Sequence, residues 1–318
     1  MQVKLAKPRS FCAGVVRAIE IVERSLEIYG PPVYVLHEIV HNNYVVDALR
    51  AKGAVFVESM ESIPTGEKVV FSAHGVAKQR VNEAKERGLQ VLDATCPLVT
   101  KVHLEVGKYA REGKEVVLIG HQGHVEVIGT LGQYDTTEGG LMYLVQTVQD
   151  VDNLQVKDPS RLGYVTQTTL SVFDTEKIVK ALKKKYPLIT GPSSDDICYA
   201  TQNRQQAVVK LAEEVDVLLV VGTETSSNSN RLREVGEQHG VKSYLIPGPE
   251  DIQPHWLSTD SVVGVTAGAS APEILVDGVL ARLRDLGAES VTEIPAENER
   301  ITFPLPKPLR RVKGQSNH

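Results

Sequence analysis

Cysteine is scarce in this chain: three residues in 318, at positions 12, 96 and 198. The number is odd and far too small for a disulfide framework, so a cystine-stapled secreted fold is excluded. Long hydrophobic runs are missing as well. Stretches such as Val217 to Val221 are strand-sized and far below the roughly 20 residues of a membrane helix. Met1 to Ser10 has neither the apolar core nor the small-residue cleavage site of a signal peptide. Excess basic charge is absent too: 35 Lys and Arg face 40 Asp and Glu, a formal net charge of -5, so no nucleic-acid partner is expected. Neither a Walker lysine loop nor a G-x-G-x-x-G run occurs, and no nucleotide is implied. The expected setting is a reducing cytoplasm, away from membranes, where thiols stay free or bind metal.

What is present is an ordinary globular composition, 42% hydrophobic and 24% charged, which excludes disorder for most of the length. Val-, Ile- and Leu-rich runs at Val69 to Ser72, Glu115 to Gly120, Asp216 to Gly222 and Ser261 to Val265 read as buried parallel strands alternating with helices. The fold class is therefore α/β. Helical spacing begins just after each cysteine: Val15, Ile19, Val22, Leu26, then Val99, Val102, Val106, Tyr109, then Val208, Leu211, Val215.

The spacing repeats threefold. His41 follows Cys12 by 29 positions, His124 follows Cys96 by 28 and Ser226 follows Cys198 by 28. Further on come Ser72-Ala73-His74-Gly75, Thr166-Gln167-Thr168-Thr169 and Ala267-Gly268-Ala269-Ser270, each after a second strand. Gln90 to Cys96 is a strand leading into a cysteine, and Gln2 to Cys12 has the same form. These patterns predict three similar α/β units with mostly parallel sheets, arranged pseudo-threefold around a centre. The expected division is 13–96, 97–193, and 194–290 completed by the N-terminal strand 1–12, with 291–318 as a C-terminal tail. In the last stretch Lys307, Arg310, Arg311 and Lys313 stand without an acid; a disordered tail is the first expectation and a docking site for an acidic electron donor the second.

Loops at strand carboxyl ends bind ligands in open α/β sheets, so the cysteine and polar loops should converge. No two cysteines are closer than 84 positions, unlike the close pairs of structural zinc sites. An iron-sulfur cube accepts thiolates from distant loops and normally takes four; three would leave one iron free for substrate. Buried, inert cysteines are the alternative. His41, His74, His124, Thr168, Ser226, Ser227, Asn228 and Ser270 offer donors near helix starts, which suits a highly charged anion such as diphosphate. Ser270 with Pro272 and Glu273 also fits a capping box. Glu126, between Val125 and Val127 in a strand-like stretch, is a candidate proton donor. His37, His103, His121, His239, His255 and His318 read as structural or surface residues. A zinc-dependent hydrolase of a phosphorylated small molecule, built on His121, His124, Glu126 and a cysteine, and a non-enzymatic anion binder are the competing readings.

Phe11-Cys12-Ala13-Gly14-Val15, His37-Glu38-Ile39-Val40-His41-Asn42, Ser72-Ala73-His74-Gly75-Val76 and Asp93-Ala94-Thr95-Cys96-Pro97 resemble the LytB/IspH family of 4-hydroxy-3-methylbut-2-enyl diphosphate reductases. So, in order, do Gly123-His124-Val125-Glu126-Val127, Thr166-Gln167-Thr168-Thr169-Leu170, Ile197-Cys198-Tyr199-Ala200-Thr201, Ser226-Ser227-Asn228-Ser229-Asn230-Arg231 and Thr266-Ala267-Gly268-Ala269-Ser270. The resemblance implies an oxidoreductase of the non-mevalonate isoprenoid pathway that removes the allylic hydroxyl with two electrons and two protons. It implies a [4Fe-4S] cluster on Cys12, Cys96 and Cys198 whose remaining iron takes the substrate's hydroxyl oxygen. It further implies a diphosphate pocket of His41, His74, His124, Ser226, Asn228 and Ser270 with Ser227 adjacent, Glu126 as proton source, Thr168 as its partner, and reduced flavodoxin or ferredoxin as electron donor.

Overall fold

The computed structural model describes residues 1–295 and 299–310. The chain runs β1 (Gln2–Leu5), α1 (Ala13–Tyr29), β2 (Val33–Leu36), α2 (Asn43–Ala51), β3 (Ala54–Val57), β4 (Lys68–Phe71), α3 (Lys78–Glu86) and β5 (Gln90–Asp93). It continues through α4 (Pro97–Arg111), β6 (Glu115–Ile119), α5 (Val125–Leu131), β7 (Met142–Val145), α6 (Val148–Asn153), β8 (Leu162–Thr166) and α7 (Val172–Lys185). The last part holds α8 (Tyr199–Ala212), β9 (Val217–Val221), α9 (Ser227–Gln238), β10 (Lys242–Ile246), β11 (Val262–Ala267), α10 (Glu273–Asp285) and β12 (Ser290–Glu293). No described helix is long and apolar enough to cross a membrane.

All strand pairs are parallel, in three sheets ordered β3-β2-β4-β5, β7-β6-β8 and β10-β9-β11-β1-β12. Helices cover both faces of such sheets, which is why the central strands β6 and β9 are unbroken apolar or buried runs. The first four strands of the third sheet repeat the order of the first, with β1 in the place of β5. The N-terminal strand thus completes the third sheet, as its sequence form predicts. In the second sheet the equivalent fourth strand is reduced to one bridge, Gly163 to Thr190. Pro187 and Pro192 flank it, and proline cannot donate to a ladder.

Several expectations are corrected. The third unit has its own strand after its last helix, β12, which lies outside β1 and straddles the boundary drawn at 290/291. α8 ends at Ala212, so Val215 packs from a loop and not from the helix. The stretch around Glu126 is the helix α5. The segment 299–310 is packed: Leu305 and Leu309 join the core under α1, and Arg17 Nε donates to the carbonyl of Pro304 at 2.9 Å. Lys307 and Arg310 are exposed on this packed segment, while Arg311, Lys313 and His318 lie outside the described residues.

Candidate active site

Each cysteine occupies the same position, the N-cap of a long helix: Cys12 before α1, Cys96 before α4, Cys198 before α8. Each is also tied to the loop after the neighbouring strand by one backbone bond. Cys12 N donates to Ala269 O at 3.3 Å, Cys96 N to Ala73 O at 2.9 Å and Cys198 N to Thr168 O at 3.0 Å. Three sheets therefore present three thiols and their polar loops to one centre. There a cavity of about 110 Å³ is lined by all three cysteines, His41, His74, His124, Glu126, Thr168, Ser226, Ser227, Asn228 and Ser270. The structure brings together every residue nominated for the cluster, the diphosphate pocket and the proton path.

The thiols are free and close. A Cβ built on Gly14 would stand 2.8 Å from the Cys96 sulfur, too close for that sulfur to stay in place, and at an ordinary 3.8 Å from that of Cys12. Burial pushes the Cys96 thiol up to about 12 and Cys198 up to about 11, with the neighbouring cysteines adding to both. The Cys198 sulfur accepts the Thr201 N–H at 3.4 Å and lies 3.1 Å from its hydroxyl, contacts that favour the thiolate without overcoming burial. A bound cation reverses this balance and deprotonates such thiols outright. Among the described residues no group of three His, Cys, Asp or Glu side chains could hold one metal ion. Three soft donors spaced around a cavity instead fit a polynuclear iron-sulfur group.

The anion side of the cavity carries the imidazoles and hydroxyls. His41 and His74 stack with ring centroids 4.2 Å apart, and His124 meets them edge-on at 5.5 and 6.0 Å. Burial, with the other histidines adding, holds His74 well below its ordinary value and takes His124 to about 4. Ser226 caps α9, accepting from the Ser229 amide, and Asn228 takes the Ala269 N–H at 2.9 Å. Ser270 is not a cap: α10 starts at Glu273 after Pro272, and the Ser270 hydroxyl donates to His41 O at 3.0 Å. Glu273 binds Arg9 and Ser10 instead of closing a capping box.

Glu126 is only 3% exposed and sits in the first turn of α5, capped by His124 Nδ1. Burial raises its carboxyl to about 7, against the lowering effect of two Thr168 hydrogen bonds. His121 lies apart, in a second cavity beside Arg231, so the His121, His124 and Glu126 zinc site of the hydrolase reading does not form. His37 pairs with Glu58, and His103 is half-buried against Gly75, where burial lowers it to about 4.

Sequence reading missed Gly14, Thr201 and Arg204. Thr201 lies three residues after Cys198, the spacing at which a cap meets the third amide, so that signal was available. Arg204 is fully buried, donating to Ser10 O at 2.7 Å and to Glu299 at 3.0 Å. It fixes Ser10, whose φ of 56° is unusual for a residue with a side chain, two positions before Cys12.

Residues 3–284 match the family model described as LytB protein. This chain belongs to the LytB family. Among LytB relatives it is 60% identical over 310 residues to the 4-hydroxy-3-methylbut-2-enyl diphosphate reductase of Ectopseudomonas mendocina, covering 98% of this chain and 99% of that one. The reductase of the same name from Chromohalobacter salexigens is 59% identical over 98% of each. The solved structure of the E-1-hydroxy-2-methyl-but-2-enyl-4-diphosphate reductase from Plasmodium falciparum superposes with a TM-score of 0.91 at 38% identity, covering 97% of this chain and 96% of that one. A second LytB-type structure, of (E)-4-hydroxy-3-methyl-but-2-enyl diphosphate reductase, gives 0.64 at 34% identity over 90% of this chain and 100% of that one.

Proposed function

We propose that this protein is an iron-sulfur reductase that converts 4-hydroxy-3-methylbut-2-enyl diphosphate, two electrons and two protons into water and isopentenyl or dimethylallyl diphosphate. This is the last step of the non-mevalonate isoprenoid pathway, carried out in the cytoplasm. The observation that carries the reading is the meeting of three helix-capping cysteines, an anion-binding wall and a buried neutral-range carboxyl in one cavity. Cys12, Cys96 and Cys198 would hold a [4Fe-4S] cluster with one iron lacking a protein ligand. When bound, the cluster supplies single electrons and a Lewis-acidic iron, which eases departure of hydroxide.

The protein's own groups do the rest. His41, His74, His124, Ser226, Ser227, Asn228 and Ser270 bind the diphosphate, and that remote grip orients the allylic alcohol toward the cysteine side. Glu126 holds the proton that the departing hydroxyl needs. The Thr168 amide can only donate, so Oε1 stays an acceptor and the proton resides on Oε2. The Thr168 hydroxyl at 2.9 Å turns from donor to acceptor as that proton comes and goes. Electrons arrive from a small one-electron carrier of the flavodoxin or ferredoxin class.

The test is anaerobic purification followed by turnover with a reduced carrier. A brown protein with about four irons per chain that forms both products supports the reading. A colourless zinc protein that hydrolyses the substrate's phosphate would sink it.

A further inference from the structure

The imidazoles of the cavity differ as hydrogen-bond donors. At His124, Nδ1 accepts the Glu126 amide at 3.1 Å, so the ring proton sits on Nε2 and the neutral ring already offers a donor. At His41 the polarity is reversed. Nδ1 lies 3.0 Å from Oε2 of Glu38, a carboxylate that only accepts, so the proton is held on Nδ1. Nε2 is then a bare lone pair, buried and without a partner in the protein. An ionised diphosphate oxygen likewise presents only lone pairs, so it can bond to His41 Nε2 only after a second proton arrives there.

We propose that Glu38 is a positioning residue that makes His41 take up a proton from solvent when the diphosphate enters, so that an imidazolium meets the anion. One N–H bond forms at Nε2 and no other bond changes. The groups facing His41 permit this. From its own loop there is Glu38; from the loop after β4, His74; from the start of α5, His124. Both of those rings are neutral at pH 7. Glu126 and the three cysteines share the cavity, while His37 is near enough to lower His74 further and His121 to lower His124. The His41 carbonyl is pinned by the Thr223 and Ser270 hydroxyls, each at 3.0 Å, which leaves the tautomer to Glu38.

This assignment rests on the diphosphate reading, and one experiment separates the two. The holoenzyme is titrated anaerobically with inorganic pyrophosphate by calorimetry in two buffers of different ionisation enthalpy, which counts protons taken up. Wild type should take up about one more proton than Glu38→Gln, and its affinity should fall more steeply with pH, approaching tenfold per unit. The glutamine amide can donate to Nδ1, which moves the ring proton to Nε2 and removes the need for uptake. Equal uptake and parallel pH profiles overturn the role of Glu38 while leaving the diphosphate site standing. Failure of wild type to bind pyrophosphate overturns both. If Glu38→Gln does not fold, Glu38→Asp and wild type decide: uptake preserved in both supports the assignment, and none in wild type overturns it.

Discussion

Thr168 grips both oxygens of Glu126, its amide on Oε1 at 2.6 Å and its hydroxyl on Oε2 at 2.9 Å. The carboxyl is thereby held rigidly although burial keeps it near neutrality, with a pKa of about 7. A carboxyl raised this far is protonated below pH 7 and ionised above it. The proton-donating form is therefore lost as pH rises, and the rate should decline on the alkaline side. Thr168→Val removes a bond that lowers the pKa, so the alkaline limb of the pH–rate profile should move upward. A limb that stays in place would show that another group sets it.

Glu126→Gln keeps the volume and the Thr168 contact but cannot carry the proton. Turnover should fall by about a hundredfold or more, the usual scale for a lost general acid. Iron content and pyrophosphate affinity should stay close to wild type, as checked by iron analysis and calorimetry. Near wild-type turnover would remove Glu126 from the proton path.

Gly14→Ala separates folding from cluster loading. Alanine is the better helix former, by up to about 1 kcal/mol in a helix interior and by less at this second residue of α1, and without iron the Cys96 thiol can swing away from the new Cβ. The iron-free protein should melt no lower than wild type. Reconstitution should nevertheless fall well below the roughly four irons of a full cube, because iron-bound sulfur cannot move aside. Cys198→Ser should lose the cluster by the same iron assay.

Arg204→Met addresses the link between α8, the Cys12 loop and the C-terminal segment. Arg204 is fully buried and paired with Glu299, whose side chain is 15% exposed. Removing one member of a buried pair costs about 3–5 kcal/mol, which urea unfolding of the iron-free protein should register. Glu299→Gln leaves the fully buried guanidinium without a counter-charge, so it too should destabilise the protein although its amide oxygen can still accept a hydrogen bond.

The parts of this molecule that repeat were legible in its sequence. The cysteines recur at helix starts, and their polar loops recur at nearly fixed offsets, because each unit solves the same problem of aiming a parallel sheet at one centre. Glu126 was found as a residue but placed on the wrong element. Val125-Glu126-Val127 alternates like a strand, and the helix is capped by a histidine, His124, which is not among the usual cap residues and so gave no start signal. Arg204 left no trace: its partners lie 194 and 95 positions away and repeat nowhere. Ser270 read as a cap because the Ser, Pro, Glu pattern is local, whereas its actual partner, His41, lies 229 positions away.

The placement of β1 has a consequence for biosynthesis. Its four residues are made long before their partners, for they pair with Val262–Val265 on one side and Ser290–Glu293 on the other. Cys12, hung from that strand, reaches its position only after residues 262–293 have been translated. Cys96, whose strand pairs with the nearby β4, does not wait in this way. Iron delivery should therefore wait until β11 and β12 have been made and have captured a strand synthesised about 260 residues earlier.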